Sequence, residues 1–219
     1  MNIIAFVAHP DDEVNCAGLL HKNFLEGGRN FVICFTGNKK RAAEFKKSCD
    51  IIGARGVVLG IPEFEIKQAQ KLHKNLIETI RDFKPDIAVL QANDYHPDHK
   101  AVFQISLNAL EFASHGKNGW LTKKILELET SAMITYPDII LDVTEEHSIK
   151  FRALEAHKTQ VEGKSFGNYY FDYIEHKGRL RGSMIGAKYG EAYKLHTQTI
   201  KGNFYPHFCG CNKACDIIK

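Results

Sequence analysis

The 219-residue chain lacks any apolar run approaching the ~18–20 residues of a membrane span. It also lacks a strong charge of either sign. Its 29 Lys and Arg face 26 Asp and Glu, a net charge of +3, too small to argue for nucleic acid or an anionic membrane surface as partner. The opening Met1-Asn2-Ile3-Ile4 has no basic start, and no long apolar stretch or small-residue cleavage site follows. A secretory signal is therefore not expected, and a cytoplasmic location is. In that reducing compartment the six cysteines read as thiols rather than a disulfide framework. Repeats, low-complexity tracts and linkers between domains are missing too, so one domain is expected, with residues 1–115 as its core and 116–219 as an elaboration.

What is present is alternation. Asn2 to Ala8, Phe31 to Phe35, Gly56 to Leu59 and Asp86 to Gln91 are short apolar runs of strand type. Helical spacing separates them, over Asp12 to about Glu26, Lys39 to about Ile52, Lys67 to Phe83 and Asp98 to Ser114. Four strand–helix repeats predict an α/β, Rossmann-like three-layer sandwich with a mostly parallel sheet, and ligands at the C-terminal edge of its strands. Beyond residue 120 the signals weaken. Leu126 to Ile134 and Ile139 to Val143 read as strands and Glu145 to about Val161 as a helix, while Glu162 to Ile185 shows no clear period.

Two constellations fall where that edge should lie. His9-Pro10-Asp11-Asp12-Glu13 follows the first strand, and Tyr95-His96-Pro97-Asp98-His99 follows the fourth. Each alone also fits a helix cap with surface histidines. Parallel strands bring such junctions together, however, and imidazoles with carboxylates suit zinc or a similar divalent metal. A nucleotide-binding Rossmann module would need a glycine-rich first turn; this one is acidic and repels phosphate.

The two boxes resemble those of the zinc-dependent de-N-acetylases of the PIG-L/LmbE-like family, an Ala/Pro-His-Pro-Asp-Asp-Glu box and a later His-Pro-Asp-His box. Arg41-Ala42-Ala43-Glu44, His157-Lys158-Thr159-Gln160 and Gly186 to Tyr193 resemble further family segments. The resemblance implies one zinc per chain held by His9, Asp12 and His99. It implies Asp11 as general base and His96 as acid or electrostatic partner, oriented by Asp98. Arg41 and Tyr189 are implied substrate contacts, Tyr189 as a donor to the oxyanion. Where some relatives carry a tyrosine two residues before the second box, this chain has Asp94.

The implied reaction is acetate release from an N-acetylated amino sugar, a GlcNAc conjugate or nucleotide-linked sugar. The alternative is a metal-dependent amide hydrolase acting on a non-sugar N-acyl substrate. Iron, cobalt or manganese also suit a His₂Asp site, and the resemblance makes a homo-oligomer an expectation. Cys209, Cys211 and Cys215 in the tail carry no assigned role.

Overall fold

The computed structural model describes residues 1–66, 71–162 and 167–196. The expected start of the third helix and the cysteine tail, with His207, lie outside them. Seven strands form one sheet in the order β3-β2-β1-β4-β5-β7-β6. They are β1 (Asn2–Val7), β2 (Arg29–Thr36), β3 (Arg55–Ile61), β4 (Ile87–Leu90), β5 (Lys124–Leu128), β6 (Ile139–Asp142) and β7 (Gly190–His196). The first five run parallel, and β7 runs antiparallel to both β5 and β6.

Alternation along each strand sorts the core into two layers. From β1, Ile3, Ala5 and Val7 point to one face with Val32 and Cys34 of β2; Ile4, Phe6 and Ala8 point to the other with Ile33 and Phe35. The first face is covered by α1 (Ala17–Leu25), α2 (Lys39–Ile52), α5 (His147–Glu155) and α7 (Gly167–Ser183), the second by α3 (Lys71–Phe83) and α4 (Pro97–Ala113). Burial on both faces explains why these parallel strands read as continuous apolar runs. Cys16, Cys34 and Cys49 are buried free thiols, as expected of core residues.

The chain winds outward from β1 through β2 and β3, then crosses back to β4 on the other side of β1. β1 and β4 are thus hydrogen-bonded neighbours, with Ile3 beside Ile87 and Phe6 beside Leu90. A crevice opens beyond the C-terminal ends of such a pair, where successive connections leave to opposite faces. Both motif-bearing loops leave from it.

Several elements depart from the sequence reading; the strand expected over Leu126 to Ile134 is β5 and ends at Leu128. The expected helix from Glu145 breaks at His157, whose backbone (φ −86°, ψ 60°) separates α5 from the short α6 (Lys158–Val161). The segment without clear period contains the 17-residue α7. Its glycines obscured it, since glycine disfavours helix interiors. They are needed for close packing: a Cβ on Gly178 would lie 2.7 Å from His147, and one on Gly182 2.6 Å from the Tyr189 nitrogen. No strand was expected at β7 either.

β7 also completes a buried polar web under the first loop. Both carboxylate oxygens of Glu191 accept amide bonds from the first turn of α1, Gly18 at 2.7 Å and Leu19 at 2.9 Å. The Lys150 ammonium donates to Glu191 at 2.6 Å and to the Asn15 carbonyl at 3.0 Å. Lys177 donates to the Asn15 side chain at 2.8 Å, and Asn15 in turn donates to the Asp12 carbonyl at 3.1 Å.

Candidate metal centre and active site

After β1 the chain turns at His9 and Pro10 into a 3-10 segment, Asp12–Cys16. Gly37 makes room for the turn. It has φ +123°, and a Cβ there would lie 2.8 Å from the Pro10 ring. Asp11 is at φ +130°, a region a side-chain-bearing residue rarely adopts. Strain of that kind persists only where surrounding bonds hold it. Here the Asp11 amide donates to Glu13 Oε2 at 2.9 Å, and Arg41 donates to the Pro10 carbonyl at 2.7 Å and to Asp11 Oδ1 at 3.3 Å. Glu13 is fully buried and also accepts from Ser48 Oγ and His157 Nε2, each at 2.5 Å.

After β4, Asp94 caps the second loop. Its carboxylate accepts the His96 amide at 2.8 Å, His99 Nδ1 at 2.7 Å and the Thr130 hydroxyl at 2.6 Å. Burial opposes its ionisation, but these bonds and the His99 charge win and hold it below the usual carboxylate range. Pro97 opens α4, and His96 Nδ1 accepts the Asp98 amide at 3.2 Å.

The loops converge. His9 and His99 have ring centroids 5.2 Å apart, and His96 lies 4.8 Å from His9 and 4.7 Å from His99. Asp12 Oδ2 sits 3.4 Å from His9 Nδ1 and 3.6 Å from His99 Nε2. The opposite nitrogens are tied back, His9 Nε2 to Asp98 Oδ2 at 3.2 Å and His99 Nδ1 to Asp94. One ring nitrogen bound to an outer carboxylate, with the other facing a shared point, is the usual arrangement of metal-binding histidines. His9, Asp12 and His99 can therefore hold a divalent cation. One ligand atom from each of His9, His96 and His99 also falls within 4.8 Å of the others, so a third imidazole stands beside this donor set, its Nδ1 accepting the Asp98 amide.

Burial would hold both loop-one carboxyls protonated. For Asp12, the bond to His9 and the charges of His99 and His9 reverse this and push it down to about 2. For Asp11, burial and the neighbouring Asp12 charge prevail over the opposing pull of Arg41 and His157, and it is held up at about 7. Adjacent carboxyls are thus shifted in opposite directions, Asp12 down and Asp11 up. Burial lowers His9, but Asp12, Asp98 and Asp11 outweigh it and raise it to about 9.

Several expectations are altered here. The carboxylate of Asp98 faces His9 rather than His96, which is oriented by the Asp98 backbone amide. That amide occupies the Nδ1 lone pair, and burial with the charges of His9 and His99 lowers the His96 pKa. His96 is thus fixed by the backbone of its own loop rather than by the Asp98 carboxylate. Arg41, implied as a substrate contact, pairs with Asp11 and Glu63, while Glu44 accepts the Thr159 amide at 3.1 Å and hydroxyl at 2.5 Å. Tyr189 is not brought to the cluster: its hydroxyl donates to Glu175 at 2.9 Å and its ring stacks on His147 at 3.6 Å. The sequence carries no local signal for Asp94 or Glu13 as site residues, and His157 stands in it only within a family-like segment.

A family model described as GlcNAc-PI de-N-acetylase, PIG-L, matches residues 4–110. The chain is 27% identical to a probable N-acetyl-alpha-D-glucosaminyl L-malate deacetylase 2 of Bacillus subtilis, over 74% of this chain and 84% of that one. Its fold is similar to that of the N,N'-diacetylchitobiose deacetylase of Pyrococcus horikoshii, with TM-score 0.76, 19% identity, and 89% and 83% of the two chains covered. It is equally similar to that of the 4-carboxy-2-hydroxymuconate hydratase GalB of Pseudomonas putida, with TM-score 0.76, 16% identity, and 93% and 99% covered. The fold therefore hosts more than one reaction. The family match spans both histidine–carboxylate boxes and the strands that carry them, and together with the likeness of fold it supports the resemblance to the PIG-L de-N-acetylases read from the two boxes.

Proposed function

We propose that this protein is a zinc-dependent hydrolase that removes the acetyl group from an N-acetylated amino sugar, a GlcNAc conjugate or nucleotide-linked sugar, and releases acetate. The observation that carries this reading is geometric: the Asp11 carboxyl, held by Arg41, stands next to the converging His9, Asp12 and His99 donor set. These three residues would hold the metal, with Asp98 and Asp94 fixing the two imidazoles. A zinc ion bound there lowers the pKa of water towards ~7 and polarises an amide carbonyl.

The chain's own groups supply the rest. Asp11 accepts the proton of the attacking water and passes it to the departing sugar nitrogen, so one carboxyl serves as base and then acid. Arg41 keeps Asp11 ionisable by lowering its pKa, and Glu13 holds its backbone. The Nε2–H of His96 donates to the oxygen that gains charge as the carbonyl becomes tetrahedral. Buried His157 leaves Asp11 less basic through its positive field. Arg41 and Tyr189 were expected to touch substrate. Arg41 serves Asp11 here, and the contacts of Tyr189 give no support for that role.

The test is acetate release from a panel of N-acetylglucosamine conjugates and nucleotide-linked N-acetyl sugars. Zinc-loaded wild type is run beside Asp11→Asn, with metal content measured on both. Release by wild type alone is expected. Absence of release from every member at one metal per chain would overturn the sugar reading and leave a non-sugar N-acyl substrate.

A further inference from the structure

The loop after β3 reaches both arms of the site. Glu63 accepts from Arg41 Nη1 at 3.1 Å, and Arg41 holds Asp11. The next residue, Phe64, reaches the other arm in two ways. Its amide donates to both carboxylate oxygens of Asp98, at 2.9 and 3.1 Å, and Asp98 holds His9. Its ring stacks on His96, with centroids 5.7 Å apart and planes 23° apart.

Two further facts show that local preference does not place Phe64 there. Its φ is +68°, where glycine is at ease and a bulky side chain is a true outlier. The residue is 65% exposed, so core burial does not hold it. A large apolar residue kept strained and exposed, with its amide on one site residue and its ring on another, is characteristic of a functional constraint.

We propose that Glu63–Phe64 is a clasp that positions the active site, and that Phe64 is its positioning residue. The amide fixes the Asp98 carboxylate that steadies His9, and the ring fixes the plane of His96. Glu63 performs the matching task for Asp11 through Arg41. Phe64 therefore acts through other residues rather than on substrate. This inference rests on the metal site proposed above.

Phe64→Gly and Phe64→Tyr separate the clasp from a structural role. Glycine accepts φ +68° without strain, so the melting temperature of Phe64→Gly should equal or exceed that of wild type. Freed of its ring, the loop should steady Asp98 less well. Zinc transfer to a chromogenic chelator should then be about 3- to 10-fold faster. On a substrate that wild type turns over, kcat should fall roughly tenfold with KM within about twofold. Phe64→Tyr keeps the stacking ring and should restore both rates to within about twofold.

Wild-type zinc release by Phe64→Gly would overturn the clasp, whether or not a sugar substrate is known. A raised KM with unchanged kcat would overturn it in favour of a substrate contact. A lowered melting temperature in both variants would reduce Phe64 to a structural role. Failure of wild type to retain zinc would overturn the clasp together with the metal site. Zinc-loaded wild type that releases no acetate would instead count against the sugar reading alone.

Discussion

Glu13→Gln tests the framework under the proposed base. Glu13 has no exposed surface and accepts three bonds, from the Asp11 amide at 2.9 Å and from Ser48 and His157 at 2.5 Å each. Burial alone would lower the pKa of His157; the charge and hydrogen bond of Glu13 overcome it and raise the pKa above its usual value. Glutamine preserves the shape, removes the charge and turns an amide NH₂ towards a group that already donates. A hydrogen bond to a charged group contributes about 1.5–3 kcal/mol, and removing one partner of a buried ion pair costs about 3–5 kcal/mol. These figures describe overlapping losses, so the larger stands alone. For a chain of this size 1 kcal/mol moves the melting temperature by about 2–4 °C, which gives a fall of roughly 6–20 °C. Because the folded pKa of His157 is raised, the pair's contribution is complete below the unfolded value of 6.5 and is lost as pH rises through the folded one. The gap between wild type and Glu13→Gln should therefore be widest below pH 6.5 and narrow as the pH is raised. Calorimetry across this range, in constant excess metal, measures it. His157→Gln in the same background should cost little more, since the pair is already broken. A fall below about 2 °C, or a gap independent of pH, would refute the reasoning.

Asp11→Asn should retain metal by elemental analysis yet lose about 10²- to 10⁴-fold in kcat; loss of the metal instead would exchange the roles of Asp11 and Asp12. Asp94→Asn leaves His99 without its outer carboxylate and should weaken zinc affinity about 10- to 100-fold by competition with a chelator. Arg41→Met removes the charge that lowers Asp11. The rate depends on ionised Asp11 and so rises with pH, and in the variant this rising limb should shift to higher pH; an unchanged limb would dissociate Arg41 from the base.

The parallel core and both boxes were legible because each is a contiguous signal. β1 and β4 are unbroken apolar runs, and His9 to Glu13 and His96 to His99 follow them directly. Asp94 was visible only as a departure from a family pattern; its partner Thr130 lies 36 residues away, a pairing no local pattern contains. His157 could be read as a helix residue but not as the break that lets it reach Glu13, 144 positions earlier. Phe64 carried no signal, because its importance lies in a backbone angle and an amide rather than in residue type. Tyr189 illustrates the reverse: a familiar segment placed it at the site, while the turn into β7 directs its hydroxyl to Glu175.

The place of β7 has a consequence for synthesis on the ribosome. Every residue of the metal cluster has been translated by His99, yet Glu191, which anchors the first turn of α1 and pairs with Lys150, arrives some ninety positions later, at the rate of ~5–20 residues per second. β7 must then insert between β5 and β6, both already made, rather than add to a free edge. Until it does, the nascent chain holds metal-binding side chains on an unfinished foundation, with Lys150 lacking its carboxylate partner. The proposed metal site thus leans on β7, and a fragment ending before Gly190 would carry the complete pair of boxes without the Glu191 support beneath α1.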